Sequence, residues 1–262
     1  MSWLHVARAE TPLILAFPHG GTDIPAQYLP AYRSRDRALF DTDWHIRRLY
    51  DGLAEATCVW TDVSRAVIDG NRDPSGASLY PGQATTGLCP TETFDGEPLY
   101  RDGEAPDVEA RRDAYHAPYH AAIAQEIARL RARHDRVVVY DCHSIRSLVP
   151  RLFAGELPEL NIGTNGGATC DAALSDAVMA ACGDRSSVLD GRFRGGWTTR
   201  HYGRPETGVH AIQMETAMRA YLDESPLADG GFPLWDPARA EDLRTDLRRI
   251  LAACLDFAKG QI

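Results

Sequence analysis

Residues 136–144 read RVVVYDCHS, and few stretches leave a chain so little conformational choice. Three valines followed by a tyrosine favour extended backbone, because branching at Cβ restricts χ1 and suits a pleated surface. The run is apolar at consecutive positions, the pattern of a strand covered on both faces inside a parallel sheet. Parallel neighbours need long crossover connections, usually helices. The polar exit, Asp141, Cys142, His143 and Ser144, then either caps a loop or delivers one of these groups to a site.

The remaining text fits that frame. PLILAFPHGG, from Pro12, is a second short apolar strand stopped by Pro18 and glycines. DRALFDTDWHIRRLYDGLAEA carries Leu39, Phe40, Ile46, Leu49, Tyr50 and Leu53, an amphipathic helix over its second half. CVWTDVSRAVIDGNR reads as one or two strands ending in polar residues. Residues 71–103 are rich in Gly, Pro and Thr, yet Tyr80, Leu88, Phe94 and Tyr100 mark the segment as an ordered, packed loop. Residues 107–135 are helical, with Pro118 kinking or dividing the helix. LNIGTN is a weaker strand followed by a helix near 170–182, GVHAIQMETAMRAYL begins as a strand and turns helical at about Thr216, and 238–259 form a terminal helix. Alternating strands and helices predict a three-layer α/β/α fold with a mixed, mostly parallel central sheet. With no internal repeat, low-complexity segment or linker, residues 1–262 are expected to form one domain.

A net charge of −9 excludes nucleic acid and anionic membrane as main partners, since both demand a basic footprint. It leaves room for a small anionic substrate held by local arginines. Cys58, Cys89, Cys142, Cys170, Cys182 and Cys254 are scattered, without a CxxC pair, as in a protein with reduced thiols. MSWLHVARAE lacks the pattern of a secretory leader and no apolar run approaches the ~20 residues of a membrane span, so a cytoplasmic location is expected.

In such sheets ligands gather beyond the strand ends, at a topological switch point. Three strand ends here carry reactive groups: His19, His143 and Glu215, while DTDWH adds carboxylates before a helix. Two imidazoles and a carboxylate are a common ligand set for catalytic zinc, and a further carboxylate can take a proton from water. Each has a plainer reading: a hydrogen-bonded loop histidine, a carboxylate in a helix's first turn, or, for Asp141, a partner that orients the His143 ring. HAPYH places His116 and His120 four apart, but it lacks the Glu of HExxH and Pro118 disturbs the helix, so packing is its default role. Cys142 and His143 are consecutive in a strand and face opposite sides, which disfavours a Cys–His nucleophile. No GxGxxG follows a strand and no phosphate-loop lysine is present. In DGNRDP, Arg72 can grip a carboxylate with a planar fork and Asn71 can add an amide donor, although the same residues suit a turn. RFRGGWTTRHYGRP concentrates Arg192, Arg194, Arg200 and Arg204, which points to an anionic ligand.

PHGGTDIP, DTDWHIRRLYD, SRAVIDGNRDP, LYPGQATTGLCPTETFDGEPLY, YHAPYH, YDCHSIRSLVPRLFAGELPELNIGTN and GRFRGGWTTRHYGRPETGVHAIQMET follow one another over most of the chain. In these stretches it resembles the N-formylglutamate deformylase (N-formylglutamate amidohydrolase) family, which ends one bacterial route of histidine degradation. That family is similar in fold to zinc carboxypeptidases and aspartoacylase. The resemblance implies one Zn²⁺ per chain (Co, Mn or Fe being acceptable to the same ligands) on His19 and His143, a substrate carboxylate on Asn71 and Arg72 with help from Arg200, and Glu215 as general base. The carboxypeptidase pattern expects Glu three residues after the first His, where Thr22 stands. Asp43 is therefore taken as the third ligand, with Asp23 and Asp41 as alternatives. The implied activity is hydrolysis of N-formyl-L-glutamate. Other readings are a zinc deacylase of another N-acyl amino acid or a formimino compound, and a metal-bearing sensor of an acidic metabolite that turns nothing over.

Overall fold

The computed structural model describes residues 2–262. Seven strands, β1 (Leu4–Ala7), β2 (Leu13–Phe17), β3 (Thr57–Thr61), β4 (Val137–Ile145), β5 (Leu160–Gly163), β6 (Ser187–Leu189) and β7 (Val209–Ala217), join one sheet in the order β1-β3-β2-β4-β7-β5-β6. The β3–β2, β2–β4, β4–β7 and β5–β6 pairs are parallel, and β1–β3 and β7–β5 are antiparallel. The helices are α1 (Arg35–Leu39), α2 (Ile46–Tyr50), α3 (Val108–Arg111), α4 (Ala117–Arg131), α5 (Ala172–Ala181), α6 (Trp197–Tyr202), α7 (Ser225–Ala228) and α8 (Pro237–Ala258). The mixed, mostly parallel α/β sheet anticipated from the sequence is thus present.

β4 and β7 are buried at every position, as a consecutive apolar run requires. Their alternation divides the molecule. Val138, Tyr140 and Cys142 enter the larger core with Leu247, Leu251 and Cys254 of α8 and with residues of α2 and α5. Val137 and Val139 pack instead against Tyr119, Ile123 and Leu130 of α4. Cys142 therefore faces the α8 side, away from the reactive end of His143. Terminal α8 begins where Asp236 accepts hydrogen bonds from the amides of Ala238 (2.9 Å) and Arg239 (3.3 Å), with Pro237 in the first turn.

Several elements differ from the sequence-based expectation. The helix expected over the second half of residues 36–56 is the one-turn α2, and a separate one-turn α1 precedes it, with a break in the chain between them. There the Asp43 amide donates to the His19 carbonyl (3.1 Å) and His45 takes a left-handed φ of 58°. Strand β7 runs past Thr216 to Ala217, since antiparallel β5 pairs Leu160 with Thr216, and only then turns into a short 3₁₀ segment. The division near Pro118 is a π-helical turn over Arg112–His116, which leads into α4. Edge strands β1 and β6 are too short to show periodicity in sequence. The 71–103 loop is packed as expected, with Leu88, Phe94 and Tyr100 buried. No helix among the described residues is long and apolar enough to cross a membrane, and all six cysteines are free.

Candidate metal centre

β3 lies on one side of β2 and β4 on the other, so the sheet's direction of growth switches there. His19 leaves the carboxyl end of β2, and His143 and Glu215 lie opposite one another in the parallel β4–β7 register. Three neighbouring strands therefore carry the three groups to one rim, the place where open α/β sheets bind ligands.

Asp43, in the break between α1 and α2, completes a buried cluster: one donor atom each from His19, Asp43 and His143 lies within 4.8 Å of the others. His19 Nδ1 is 3.1 Å from His143 Nδ1, and Asp43 Oδ2 is 3.7 Å from the first and 3.3 Å from the second. The outer ring nitrogens are held from behind. His19 Nε2 donates to Asp69 Oδ1 at 2.6 Å, and His143 Nε2 lies 3.0 Å from Asp141 Oδ1. Asn71 Nδ2, 2.8 Å from that same ring nitrogen, donates to Asp141 Oδ2 at 2.9 Å, so both nitrogens converge on one carboxylate. With His19 Nε2 bonded to Asp69 and His143 Nε2 set beside Asp141, the two Nδ1 atoms and Asp43 Oδ2 face one another in a place nearly closed to water. Such a set is mutually repulsive without a positive charge among its members and fits a divalent cation.

The electrostatics agree. Burial disfavours a charged His143 ring, yet Asp141 and Asp43 outweigh it and hold the ring's pKa well above its ordinary value. Burial likewise opposes ionised Asp43, but His19, His143 and Arg65 lower its pKa. Arg65 bridges Asp43 (3.0 Å) and Asp69 (2.9 Å). Glu215 is pushed up to about 8 by burial, against the pull of His143. A cation in the cluster favours its ionised form, the form a general base needs.

Of the alternative carboxylates, Asp41 accepts a hydrogen bond from the Phe94 amide (2.7 Å) and faces Arg146, while Asp23 pairs with the backbone of Val63. Neither belongs to the cluster. A narrow cavity of about 50 Å³ opens in front of it, lined by His19, His143, Glu215, Gln213, Arg65, Asn71, Arg72 and Arg192 among others. Arg72 is fixed there by Nε and Nη2 bonds to the Thr86 carbonyl (2.8 Å) and hydroxyl (3.1 Å). Asn71 lines the cavity but engages its amide with Asp141 and, through Oδ1, with the Thr198 amide at 2.8 Å. Arg200 stands apart from the lining. It donates to the Gly195 and Leu79 carbonyls and stacks on Tyr80, so it braces the wall instead of facing the cavity.

Sequence reasoning missed two supports. Asp69 orients His19 as Asp141 orients His143, and its signal was a carboxylate two residues before Asn71. Arg65 neutralises two buried aspartates. The pair His116 and His120 does not join the metal cluster. Their Nε2 groups donate to the carbonyls of Arg72 (3.0 Å) and Gly70 (2.8 Å), clamping the backbone on either side of Asn71. Nor could a larger residue replace Gly196, since a Cβ there would sit 2.3 Å from Asn71 Nδ2.

Fold and cluster together define a class: an α/β protein whose buried two-imidazole, one-carboxylate set at the sheet rim fits a divalent cation. The N-formylglutamate amidohydrolase family model matches residues 11–222, and the chain belongs to that family. It is 45% identical to N-formylglutamate deformylase of Pseudomonas aeruginosa, over 98% of this chain and 97% of that protein. It is 42% identical to the Pseudomonas putida protein of the same name, over 83% and 84% of the two chains. Among solved structures, N-formylglutamate amidohydrolase from Ralstonia eutropha matches with a TM-score of 0.82 at 22% identity over the whole of both chains. A gene product of Agrobacterium tumefaciens matches at 0.71 and 19% over 97% of this chain and 95% of that one.

Proposed function

We propose that this chain hydrolyses N-formyl-L-glutamate to formate and L-glutamate, as the names of its relatives suggest, with one divalent metal ion, Zn²⁺ by preference, on His19, Asp43 and His143. A role at the end of histidine degradation follows from the same reading. The observation that carries it is the placement of Glu215 directly across the strand pair from His143, over a cavity that also holds arginine. A cation in the cluster supplies Lewis acidity, which acidifies water and polarises a carbonyl oxygen.

The protein's own groups do the rest. Glu215 takes a proton from water as the water oxygen bonds to the formyl carbon, then passes it to the glutamate nitrogen as the C–N bond breaks. Arg65, already within the cluster, adds fixed positive charge beside the developing oxyanion. Arg72 receives a substrate carboxylate through a planar fork, and Asn71 beside it holds the Asp141–His143 pair in register. Arg200 contributes by bracing the cavity wall. The test is a product assay on metal-loaded protein. Stoichiometric formate and glutamate from N-formyl-L-glutamate are expected; acetate from the N-acetyl compound, or ammonia from the formimino compound, at a higher rate would reassign the substrate.

A further inference from the structure

Three arginines line the cavity, and they are not equivalent. Arg65 is neutralised by Asp43 and Asp69. Among the described residues Arg72 has only Asp69 as a carboxylate neighbour, at 3.8 Å. Arg192 has none within 4.0 Å among the described residues, although it is half-buried. Its guanidinium is nonetheless rigidly mounted. Nε donates to the Leu152 carbonyl (2.7 Å), Nη2 donates to the Ala84 carbonyl (2.8 Å), and Cζ lies over the Tyr80 and Phe193 rings, 5.3 and 5.4 Å from their centroids. Nη1 has no hydrogen-bond partner among the described residues, which leaves its donors for a ligand.

Arg72 and Arg192 are anchored on the same strip of loop, at Thr86 and Ala84. The two anchor points lie two residues apart, at most about 7 Å of extended chain, and the guanidinium groups are near enough for the charge of Arg72 to act on Arg192. Burial and the neighbouring Arg72 charge both lower the pKa of Arg192, so an anion seated between the two groups relieves both.

We propose that Arg192 is the specificity-determining residue of this site: it holds the side-chain carboxylate of the substrate while Arg72 holds the α-carboxylate. The assignment rests on the deformylase reading above and gives Arg192 the place that sequence reasoning gave to Arg200. It makes the cavity selective for N-acyl dicarboxylates over N-acyl amino acids with neutral side chains of equal length. Losing a charge-assisted hydrogen bond at one end weakens only the ligand that carries the matching charge.

The experiment compares formate release from N-formyl-L-glutamate and N-formyl-L-glutamine by metal-loaded wild type, Arg192→Gln, Arg192→Lys and Arg72→Gln. In Arg192→Gln, kcat/KM for formylglutamate should fall on the order of 100-fold more than for formylglutamine. Arg192→Lys, which keeps the charge and loses the fork, should recover part of the difference. Arg72→Gln should lower both substrates alike. Equal losses on both substrates in Arg192→Gln would overturn the assignment while leaving the deformylase reading intact. A wild type that releases no formate from formylglutamate would remove that reading and this assignment together.

Discussion

Glu215 shows how a single carboxylate acquires a task from its surroundings. It sits in a strand with 7% of its surface exposed, and its Oε2 accepts a hydrogen bond from Gln213 at 3.2 Å. It is not among the donors of the cation cluster, yet it faces the same cavity. Glu215→Gln should therefore keep bound metal while kcat for formate release falls by about 10²–10⁴-fold, the range for loss of a general base. Metal analysis beside steady-state kinetics checks both halves, and near-normal turnover would refute the base assignment. His19, His143 and Glu215 were legible in the sequence because each ends or extends a run that can only be a buried strand. Asp69 and Arg65 were not, since a turn-like DGN context explains Asp69 equally well and Arg65 stands in a stretch that reads as strand, until the fold brings both beside His19 and Asp43. The choice between Arg192 and Arg200 depends on which side of a Gly-Gly turn each guanidinium faces, which spacing alone does not encode.

Among the elements, the π-helical turn ahead of α4 has an identifiable consequence. One extra residue per turn changes which side chains face inward, and here His116 and His120 both meet the Gly70–Arg72 backbone. Burial and the neighbouring His116 lower the pKa of His120 to about 3 from an ordinary 6.5. Its ring is then a neutral donor, and Nδ1 is free to pair with the Tyr202 hydroxyl at 3.0 Å. Unfolding lets this ring take up a proton. Its contribution to stability is therefore complete above pH 6.5 and lost progressively as pH falls towards 3. His116 shifts in the same direction, so the comparison must be made against a variant. Denaturant midpoints of His120→Gln and wild type should converge as pH falls from 7 to about 4; a constant gap would contradict a buried, neutral His120. Sequence reasoning assigned this pair a packing role. The hydrogen bonds to the site's backbone appear only once the 71–103 loop is folded against α4.

Across the whole molecule, the sheet separates stability from chemistry. The face with Asp141, His143, Gln213 and Glu215 opens on the cavity, while α8 covers the other face. Leu247 is fully buried there among β4 and α5 residues. Leu247→Ala should cost about 2–5 kcal/mol, as deletion of a buried leucine typically does, while metal content and turnover per folded molecule stay near wild type. Urea unfolding with metal analysis tests this, and metal loss in a folded Leu247→Ala protein would show the two faces to be coupled. The architecture was readable because β4, β7 and α8 carry long, unambiguous patterns. Strands β1 and β6, at four and three residues, gain their structure from pairing at the sheet edges and leave too short a trace to read.

Metal content per chain in His143→Ala against wild type bears most directly on the convergence of His19, Asp43 and His143 upon a cation. After loading and exhaustive dialysis, wild type should retain close to one equivalent and His143→Ala less than about a tenth, because the variant lacks one of the three side chains proposed to hold the ion. Equal occupancy in a folded His143→Ala protein would place the metal elsewhere and contradict the centre described above.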